Sequence, residues 1–286
     1  MTRLTTTDIC DISSGLVRYN ERLLTATGKG LLGIASHAYG IKEETVAAAL
    51  NQLTFHVIPV TAGLGIITDF SVTVSAILSF LGCRAKVAEK SDASGLAQAY
   101  EQGADAVMLA DDFRFVAIDL HNRKVADNTP ATGRVFATAL DLMAGGLNGE
   151  KVLILGCGPV GEAGVKALLK TGAHPLLFDT NPDAAHALKE KIMTSHGALN
   201  IKVLDHLPEN LTDLNYIFEA TPVENSIPQD LTHDKLMVAA PGVPLGVSQK
   251  TADRLGTNLI HDKLELGVAA MAAELVQGRI RNPSQD

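Results

Sequence analysis

The chain has 286 residues, of which 46% are hydrophobic, so it is long enough to form one large or two ordinary domains with sizeable cores. Its formal net charge is −8 at pH 7 and it lacks a block of lysines and arginines, which argues against a nucleic-acid partner. No apolar run approaches the ~18 residues of a membrane span, and the N-terminus lacks the apolar core of a signal peptide, so we expect a cytoplasmic protein with no membrane partner.

Hydrophobic periodicity predicts a helix-rich α/β domain over residues 1–146. Thr5 and Asp8 have the spacing of a capping box that opens the first helix, and Gly28 ends this helix. Three or four strands are expected to alternate with the later helices. The other predicted helices cover residues 31–39, 43–53, 70–81, 93–102 and 131–143, and the predicted extended segments cover residues 56–60, 84–88, 106–110 and 113–120.

Three features of this domain each have two interpretations. The loop T-A-G-L-G at residues 61–65 either lets a ligand approach the backbone closely or is a tight connection to the next helix. Asp111 and Asp112 follow the strand 106–110, where they either form a turn or place a carboxylate at the sheet edge that binds ligands in α/β proteins. Asn128 is either a helix cap or a polar group of the same site.

The segment K-V-L-I-L-G-C-G-P-V-G at residues 151–161 predicts a dinucleotide-binding unit of the Rossmann type. Gly156, Gly158 and Gly161 follow a short apolar run, and they permit a tight turn, approach of a pyrophosphate to the backbone, and close packing of helix on sheet. The next helix presents its N-terminus to the phosphates, and Asp179 ends the following apolar run, where an acid binds ribose hydroxyls. The alternative is a glycine-rich turn without a ligand.

The Rossmann domain is expected to cover residues 147–286, after a glycine-rich hinge at residues 144–149. E-A-T-P at residues 219–222, P-G-V-P at residues 241–244 and Asp262 each follow an apolar run, so they should meet at one edge of a parallel sheet. A last helix is expected to pack back at the domain interface. The predicted helices cover residues 160–171, 182–196 and 263–277, and the predicted strands cover residues 152–155, 175–178, 201–204, 216–219, 236–240 and 258–261.

Cysteine and histidine spacing predicts neither a disulfide framework nor a metal site. Cys157 lies inside the glycine loop. We interpret it as a small filler, because no neighbouring histidine or basic residue would lower the pKa of its thiol.

Five further stretches, together with the glycine loop, resemble the pyrrolysine synthase family. The resemblance implies a helix-rich N-terminal domain, a C-terminal Rossmann domain and NAD-dependent dehydrogenation. The implied substrate is lysine joined through its ε-nitrogen to 3-methylornithine, whose terminal amine is oxidised to an aldehyde with loss of ammonia before the pyrroline ring closes. The five stretches are I-P-V-T-A-G-L-G-I-I (58–67), M-L-A-D-D (108–112), A-D-N-T-P-A-T-G (126–133), I-F-E-A-T-P (217–222) and P-G-V-P (241–244).

The resemblance implies site residues as well. Asp111 and Asn128 match substrate-contacting positions and would position the substrate. Ala62 and Leu64 stand where the family has polar residues, and Asp262 stands where it has a glutamate. The implied substrate site comprises Thr61, Ala62, Gly63, Asp111, Asn128, Glu219 and Asp262. The implied cofactor site comprises Gly156, Cys157, Gly158, Pro159, Val160, Gly161, Asp179, Thr180, Ala220, Thr221, Pro222, Pro241 and Gly242.

The expected cofactor is NAD rather than NADP, because Asp179 would repel a 2′-phosphate and neither Thr180 nor Asn181 supplies an arginine to bind one. The expected partner is the small lysine–methylornithine conjugate, and the two sets of site residues are expected to face each other across a cleft between the domains. No lysine or histidine lies in a matching motif as a general base. A homodimer is left open.

Two other functions stay open from the sequence. A two-domain dehydrogenase of the shikimate or methylene-tetrahydrofolate type would use a lysine and an acid in the N-terminal domain, but no lysine lies in a matching loop. A non-catalytic module that senses NAD would bind the dinucleotide without turning over an amine.

Overall fold

The computed structural model describes residues 4–196, 200–207, 214–229 and 232–281. The chain divides into two compact units, each built from separate stretches of sequence. The predicted boundary after residue 146 differs from this division for two reasons. Two helices, at residues 12–27 and 128–144, are divided between the units, and the C-terminal helix belongs to the first unit. Unit 1 takes the described parts of residues 1–21, 29–131 and 263–286, and unit 2 takes those of residues 22–28 and 132–262.

The secondary structure of the described residues follows the α/β pattern that the sequence predicts. The helices are α1 Thr6–Ile9, α2 Ile12–Thr27, α3 Leu31–Ala38, α4 Glu43–Leu50, α5 Phe70–Phe80, α6 Asp92–Glu101, α7 Asn128–Ala144, α8 Pro159–Lys170, α9 Pro182–His196, α10 Gln249–Leu255 and α11 Glu265–Arg281. The strands are β1 Thr54–Ile58, β2 Arg84–Val87, β3 Ala106–Ala110, β4 Phe115–Asp119, β5 Lys124–Asp127, β6 Lys151–Leu155, β7 His174–Phe178, β8 Lys202–Val203, β9 Tyr216–Glu219, β10 Met237–Ala240 and β11 Leu259–His261.

Unit 1 contains a five-stranded sheet in the order β2-β1-β3-β4-β5. β1 pairs in parallel with β2 and β3, whereas β4 and β5 add antiparallel hairpins at one edge. The expected hairpin between β3 and β4 is therefore present. β5 was not predicted, because K-V-A-D is short and has charged residues at both ends. The first helix is two helices, since the chain turns between Ile9 and Ile12.

Unit 2 contains a six-stranded sheet in the order β11-β10-β9-β6-β7-β8, and every neighbouring pair is parallel. The chain starts at β6 in the middle, runs outward through β7 and β8, and then returns to β9 on the other side. The reversal between β6 and β9 is the switch point at which such sheets bind ligands. The predicted Rossmann architecture is confirmed. The sequence did not predict α10 or the 3-10 turn at Gly256–Asn258.

The C-terminal helix α11 packs on α3, α4, α5, β4 and β5 of unit 1. Almost every residue from Glu265 to Val276 is buried, which explains why its sequence lacks a clear polar face. Arg279 fastens its end to β4 through two bonds to the buried Asp119, from Nε to Oδ2 at 2.6 Å and from a terminal nitrogen to Oδ1 at 3.0 Å. Burial alone would raise the pKa of Asp119, but Arg279 and the backbone N–H of Asn122 lower it below the ordinary value.

An ion pair joins the start of the chain to the segment before α11. Asp8 accepts hydrogen bonds from the backbone N–H and the hydroxyl of Thr5, at 2.8 and 2.7 Å, so the predicted capping box is present. Lys263 Nζ lies 2.7 Å from the other oxygen of Asp8. Partial burial opposes ionisation, but the bonds from Lys263 and Thr5 outweigh it and lower the pKa of Asp8 to about 2.

This pair should make stability depend on pH in acid. The ordinary pKa of 3.8 applies to the unfolded chain, so the stabilisation is complete above about pH 4 and disappears as the pH falls towards the folded pKa of about 2. We expect Lys263→Met to lower the free energy of unfolding by about 1 kcal/mol at pH 7 and much less at pH 2. Urea unfolding at both pH values measures this. Lys250→Met, at an exposed lysine of α10, is the control. A deficit of equal size at both pH values would contradict the assignment.

Candidate functional site

The glycine loop of unit 2 has the geometry of a dinucleotide loop. Gly156 follows β6 directly with φ +89°, and a Cβ there would lie 2.7 Å from the carbonyl oxygen of Ala220. A Cβ on Gly161 would overlap the carbonyl oxygen of Gly156. Gly158 is different, since no described atom lies within 4 Å of the place its Cβ would take. The two outer glycines are thus required by packing, while the middle one leaves open space next to the N-terminus of α8.

Two glycines that sequence reasoning missed fix the position of α8. A Cβ on Gly164 would lie 2.5 Å from the ring of Phe218, so α8 rests directly on β9. A Cβ on Gly133 in α7 would overlap the carbonyl oxygen of Val160 and lie 2.6 Å from Cβ of Ala163. Gly133 ends one of the five family-like stretches, and this close helix–helix contact gives a physical reason for a glycine there.

Asp179, the predicted ribose acid, also holds the glycine loop. Its Oδ2 accepts the backbone N–H of Cys157 at 2.8 Å, and its Oδ1 accepts that of Asn181 at 2.9 Å. An ionised carboxylate has about four acceptor positions, so capacity for ribose hydroxyls is left. Burial, with the charge of Asp179 adding to it, raises the pKa of the Cys157 thiol to about 12. The thiol is therefore protonated at neutral pH, which agrees with the interpretation of Cys157 as a filler.

Strands β6, β9 and β10 bring three predicted segments to one edge of the unit 2 sheet. Glu219 is opposite Leu155 in the pairing of β9 with β6, and the N–H of Ala220 donates to the carbonyl of Leu155 at 2.8 Å. The N–H of Gly242 donates to the carbonyl of Glu219 at 3.1 Å. The structure thus places the glycine loop, Ala220-Thr221-Pro222 and Pro241-Gly242 side by side. Thr180 follows β7, the next strand along the same edge.

The carboxyl group of Glu219 lies inside unit 2, and the residue is 0% exposed. Its Oε1 accepts the N–H of Thr221 at 2.9 Å, the hydroxyl of Thr221, and the hydroxyl of Ser226 at 3.1 Å. Burial raises its pKa above the ordinary value, although these hydrogen bonds oppose the rise. The structure gives this side chain internal partners, and the predicted contact with substrate stays a prediction.

The loop at residues 61–65 of unit 1 is held by two carboxylates. Asp92 accepts the backbone N–H and the hydroxyl of Thr61, at 2.8 and 2.6 Å. Asp112 accepts the N–H of Leu64 at 2.8 Å and occupies the space next to Gly63, whose φ is +69°. Sequence reasoning missed Asp92, because an acid at the start of a helix looks like a cap, and nothing local links it to a loop 31 residues earlier. Ala62 lies within this loop.

Asp111 and Asp112 have different roles. Asp111 Oδ1 accepts the N–H groups of Phe113 and Arg114, at 2.8 and 2.7 Å, which closes the turn between β3 and β4. These two N–H groups lower the pKa of Asp111, and the residue is exposed. The turn interpretation of Asp111 therefore has a structural basis. Both bonds fall on Oδ1, so a role with a ligand would depend on Oδ2.

Asn128 is the first residue of α7, and the capping bond belongs to its neighbour. Asp127 Oδ1 accepts the N–H of Thr129 at 2.9 Å, so Asp127 is the cap and the interpretation of Asn128 as the cap is corrected. Asp127 Oδ2 also accepts Nε of Arg114 at 2.8 Å, which ties the β3–β4 turn to the start of α7. Asp262, the last of the seven predicted substrate residues, comes directly after β11 of unit 2, and its side chain is buried.

A search of the described ranges for three or more clustered His, Cys, Asp or Glu residues that could bind a metal ion finds none. Within the same ranges, every helix is too short or too polar to cross a membrane.

Comparison with known proteins places the chain beside one group of enzymes. Residues 8–126 match the family model described as "Pyrrolysine biosynthesis protein PylD, N-terminal domain". The pyrrolysine synthase of Methanosarcina acetivorans is 31% identical over 273 residues, which cover 95% of this chain and 98% of that protein. The pyrrolysine synthase of Methanosarcina barkeri is 28% identical over 271 residues, covering 95% and 97%.

Solved structures support the fold. A shikimate dehydrogenase in complex with NADP+ aligns with a TM-score of 0.53 at 16% identity, covering 80% of this chain and 89% of that one. The quinate dehydrogenase of Corynebacterium glutamicum in complex with NAD aligns with a TM-score of 0.50 at 16% identity, covering 79% and 94%. At this identity the likeness concerns the fold alone.

The contact between α7 and α8 gives a prediction about stability. A Gly→Ala change in an open helix position stabilises by up to about 1 kcal/mol, whereas overpacking costs about 1–3 kcal/mol. We expect Gly133→Ala to destabilise the protein, because its Cβ would meet Val160 and Ala163. Gly15→Ala in α2 is the matched control, since its Cβ would meet no described atom within 4 Å. Chemical denaturation measures both, and a neutral Gly133→Ala would refute the contact.

Proposed function

This chain belongs to the pyrrolysine synthase family, and on that premise we propose that it catalyses the ring-forming step of pyrrolysine biosynthesis. The proposed substrate is L-lysine-Nε-3R-methyl-D-ornithine, whose terminal amine is oxidised with NAD. Ammonia is released and the ring closes to give L-pyrrolysine. The observation that supports this most strongly is the 31% identity to a pyrrolysine synthase along 95% of the chain.

The residues of unit 2 fit a nicotinamide dinucleotide. The open space at Gly158 adjoins the N-terminus of α8, whose free N–H groups and partial positive charge suit a pyrophosphate. Asp179 suits the adenine ribose, and the structurally similar shikimate and quinate dehydrogenases were solved with NADP+ and NAD. When bound, the nicotinamide supplies the hydride acceptor. The glycine loop and Asp179 would hold the dinucleotide at the carboxyl edge of the sheet.

The chemistry asks two things of the protein's own residues. The carbon that bears the terminal amine loses a hydride only when the amine is neutral, yet an alkylamine is almost fully protonated in water at pH 7. A site that removes water from the amine lowers its pKa, and correct positioning supplies much of the rate. The substrate's remaining ammonium groups need anionic or carbonyl acceptors. Asp111 Oδ2 and the Asn128 amide are the groups we assign to that task.

One experiment tests the function directly. The purified protein is incubated with NAD and the lysine–methylornithine conjugate, and the absorbance of the reduced cofactor is followed. We expect turnover with the conjugate and none with shikimate. Turnover of shikimate would instead indicate a dehydrogenase of the shikimate type, and binding of NAD without turnover of either compound would indicate a sensing module.

Cofactor preference gives a prediction about Asp179. We expect the protein to bind NAD more tightly than NADP, because the carboxylate repels a 2′-phosphate. Asp179→Ser combined with Thr180→Arg should shift the preference towards NADP. Asp179→Asn is the control that keeps an acceptor for the Cys157 N–H, so it should weaken the discrimination while the loop stays in place. Calorimetric titration with both cofactors measures this, and equal affinities in the unmodified protein would contradict the proposal.

Substrate recognition gives a prediction about Asp111. Asp111→Asn keeps an oxygen that accepts from Phe113 and Arg114, so the turn should survive while the charge is lost. We expect kcat/KM for the conjugate to fall about fifty-fold, with NAD affinity and Tm unchanged.

The matched control for Asp111 is Asp112→Asn, which keeps an oxygen for the N–H of Leu64 and should change kcat/KM far less. Steady-state kinetics and thermal unfolding compare the two variants. A loss of stability in Asp111→Asn with catalysis intact would mean that Asp111 serves the turn only.

A further inference from the structure

The buried carboxyl group at the end of β9 has no part in the mechanism above. β9 lies beside β6 at the switch point of the unit 2 sheet, and Glu219 is its last residue. Its Oε1 accepts three hydrogen bonds from Thr221 and Ser226, both of which lie in the segment that follows the strand. Its Oε2 is buried and accepts no hydrogen bond of normal geometry from the described residues, although the backbone N–H of Gly246 lies close enough to the carboxyl group to lower its pKa. Burying a carboxyl group costs folding free energy, which favours a functional role for Glu219 over a role in packing alone.

The same carboxyl group also takes up the space beside two glycines of the neighbouring segment. A Cβ on Gly242 would meet the carbonyl oxygen of Thr221 and lie 2.6 Å from Glu219 Oε2. A Cβ on Gly246 would meet Ser226 Oγ and lie 2.6 Å from Glu219 Cδ. Gly246 also accepts the N–H of Ile227 at 2.9 Å, which joins the segment after β10 to the segment after β9. One side chain therefore contacts both segments, by hydrogen bonds on one side and by close packing on the other.

The topology indicates which part of a dinucleotide these segments would meet. In a doubly wound sheet the dinucleotide lies across the switch point, with one half of the sheet for each nucleotide. The half built from β6, β7 and β8 contains Asp179 and the glycine loop, which suit the adenosine end and the pyrophosphate. The half built from β9, β10 and β11 is left for the nicotinamide end, and the segments around Glu219 form its edge.

We propose that Glu219 is a positioning residue that holds the segments 220–226 and 241–246 in the shape that receives the nicotinamide half of the dinucleotide. The inference rests on the NAD dependence proposed above, but not on the identity of the amine substrate. Glu219 acts through the two segments and touches no reacting atom. Because burial raises its pKa, a neutral side chain of the same shape should be able to replace it.

The test compares a whole dinucleotide with one of its parts. Calorimetric titration of the full chain with NAD and with ADP separates the two halves, since ADP lacks the nicotinamide nucleoside. We expect Glu219→Ala to weaken NAD binding about tenfold or more while ADP affinity stays at the value of the unmodified protein. Glu219→Gln should restore NAD affinity, because its amide oxygen can accept from Thr221 and Ser226. If Glu219→Ala weakens NAD and ADP equally, the residue is a general stabiliser and the proposal fails.

A second arm tests the packing contact. Gly246→Ala alone should weaken NAD binding, since its Cβ would press on both Ser226 Oγ and Glu219 Cδ. In the Glu219→Ala background the same change should have a smaller further effect, because the contact with Glu219 is gone and only the contact with Ser226 Oγ remains. Independent, additive effects of the two changes would overturn the proposal. Should Glu219→Ala lower the yield of folded protein, Ser226→Ala removes one bond to Oε1 and should weaken NAD but not ADP.

The outcomes also separate this inference from the proposed function. If the unmodified protein binds NAD but does not oxidise the conjugate, the substrate assignment fails while the comparison of NAD with ADP still decides the role of Glu219. If the conjugate is oxidised and Glu219→Ala binds NAD normally, the proposed function stands and the inference fails.

Discussion

The close approach of α8 to the central strands of unit 2 is the constraint on which the candidate site depends. Gly161 lies against the carbonyl of Gly156, and Gly164 lies against the ring of Phe218, so any side chain at either position would lift the helix from the sheet. This contact points the N-terminus of α8 at the switch point between β6 and β9. The first turn of α8, the open space at Gly158 and the segment after β9 are then neighbours, an arrangement that suits a dinucleotide.

Carboxylates fix the segments that follow the strands. Some of the many acidic residues of this chain therefore have a structural role. Asp179 holds the glycine loop, Asp112 and Asp92 hold the loop at residues 61–65, and Asp111 closes its own turn. Each accepts backbone N–H groups that strand pairing does not use. Hydrogen bonds to a charged acceptor are stronger than those between neutral groups, so short loops of this kind keep a defined shape.

The end of the chain completes unit 1. α11 is buried along most of its length, and its last turn binds Asp119 of β4 through Arg279, while Lys263 before it binds Asp8. Because residues from both ends of the sequence belong to one unit, the stability of that unit depends on contacts between distant parts of the chain. A boundary drawn from the linear sequence cannot represent such a unit.

The sequence by itself determined the α/β class, the glycine loop and the positions of most elements. β3 and β9 have the predicted bounds, because apolar runs that end in polar, glycine or proline residues are local signals. Only the tertiary structure decided that Asp127 is the cap of α7, that Asp92 and Asp112 hold a loop 31 and 48 residues away, and that Glu219 is buried. For Asp92 and Asp112 the physical reason is that the partner of the carboxylate is set by packing between distant segments, which its neighbouring residues do not specify. For Asp127, whose partner is two residues away, the deciding feature is the exact start of α7 directly after β5, a strand that the sequence did not predict.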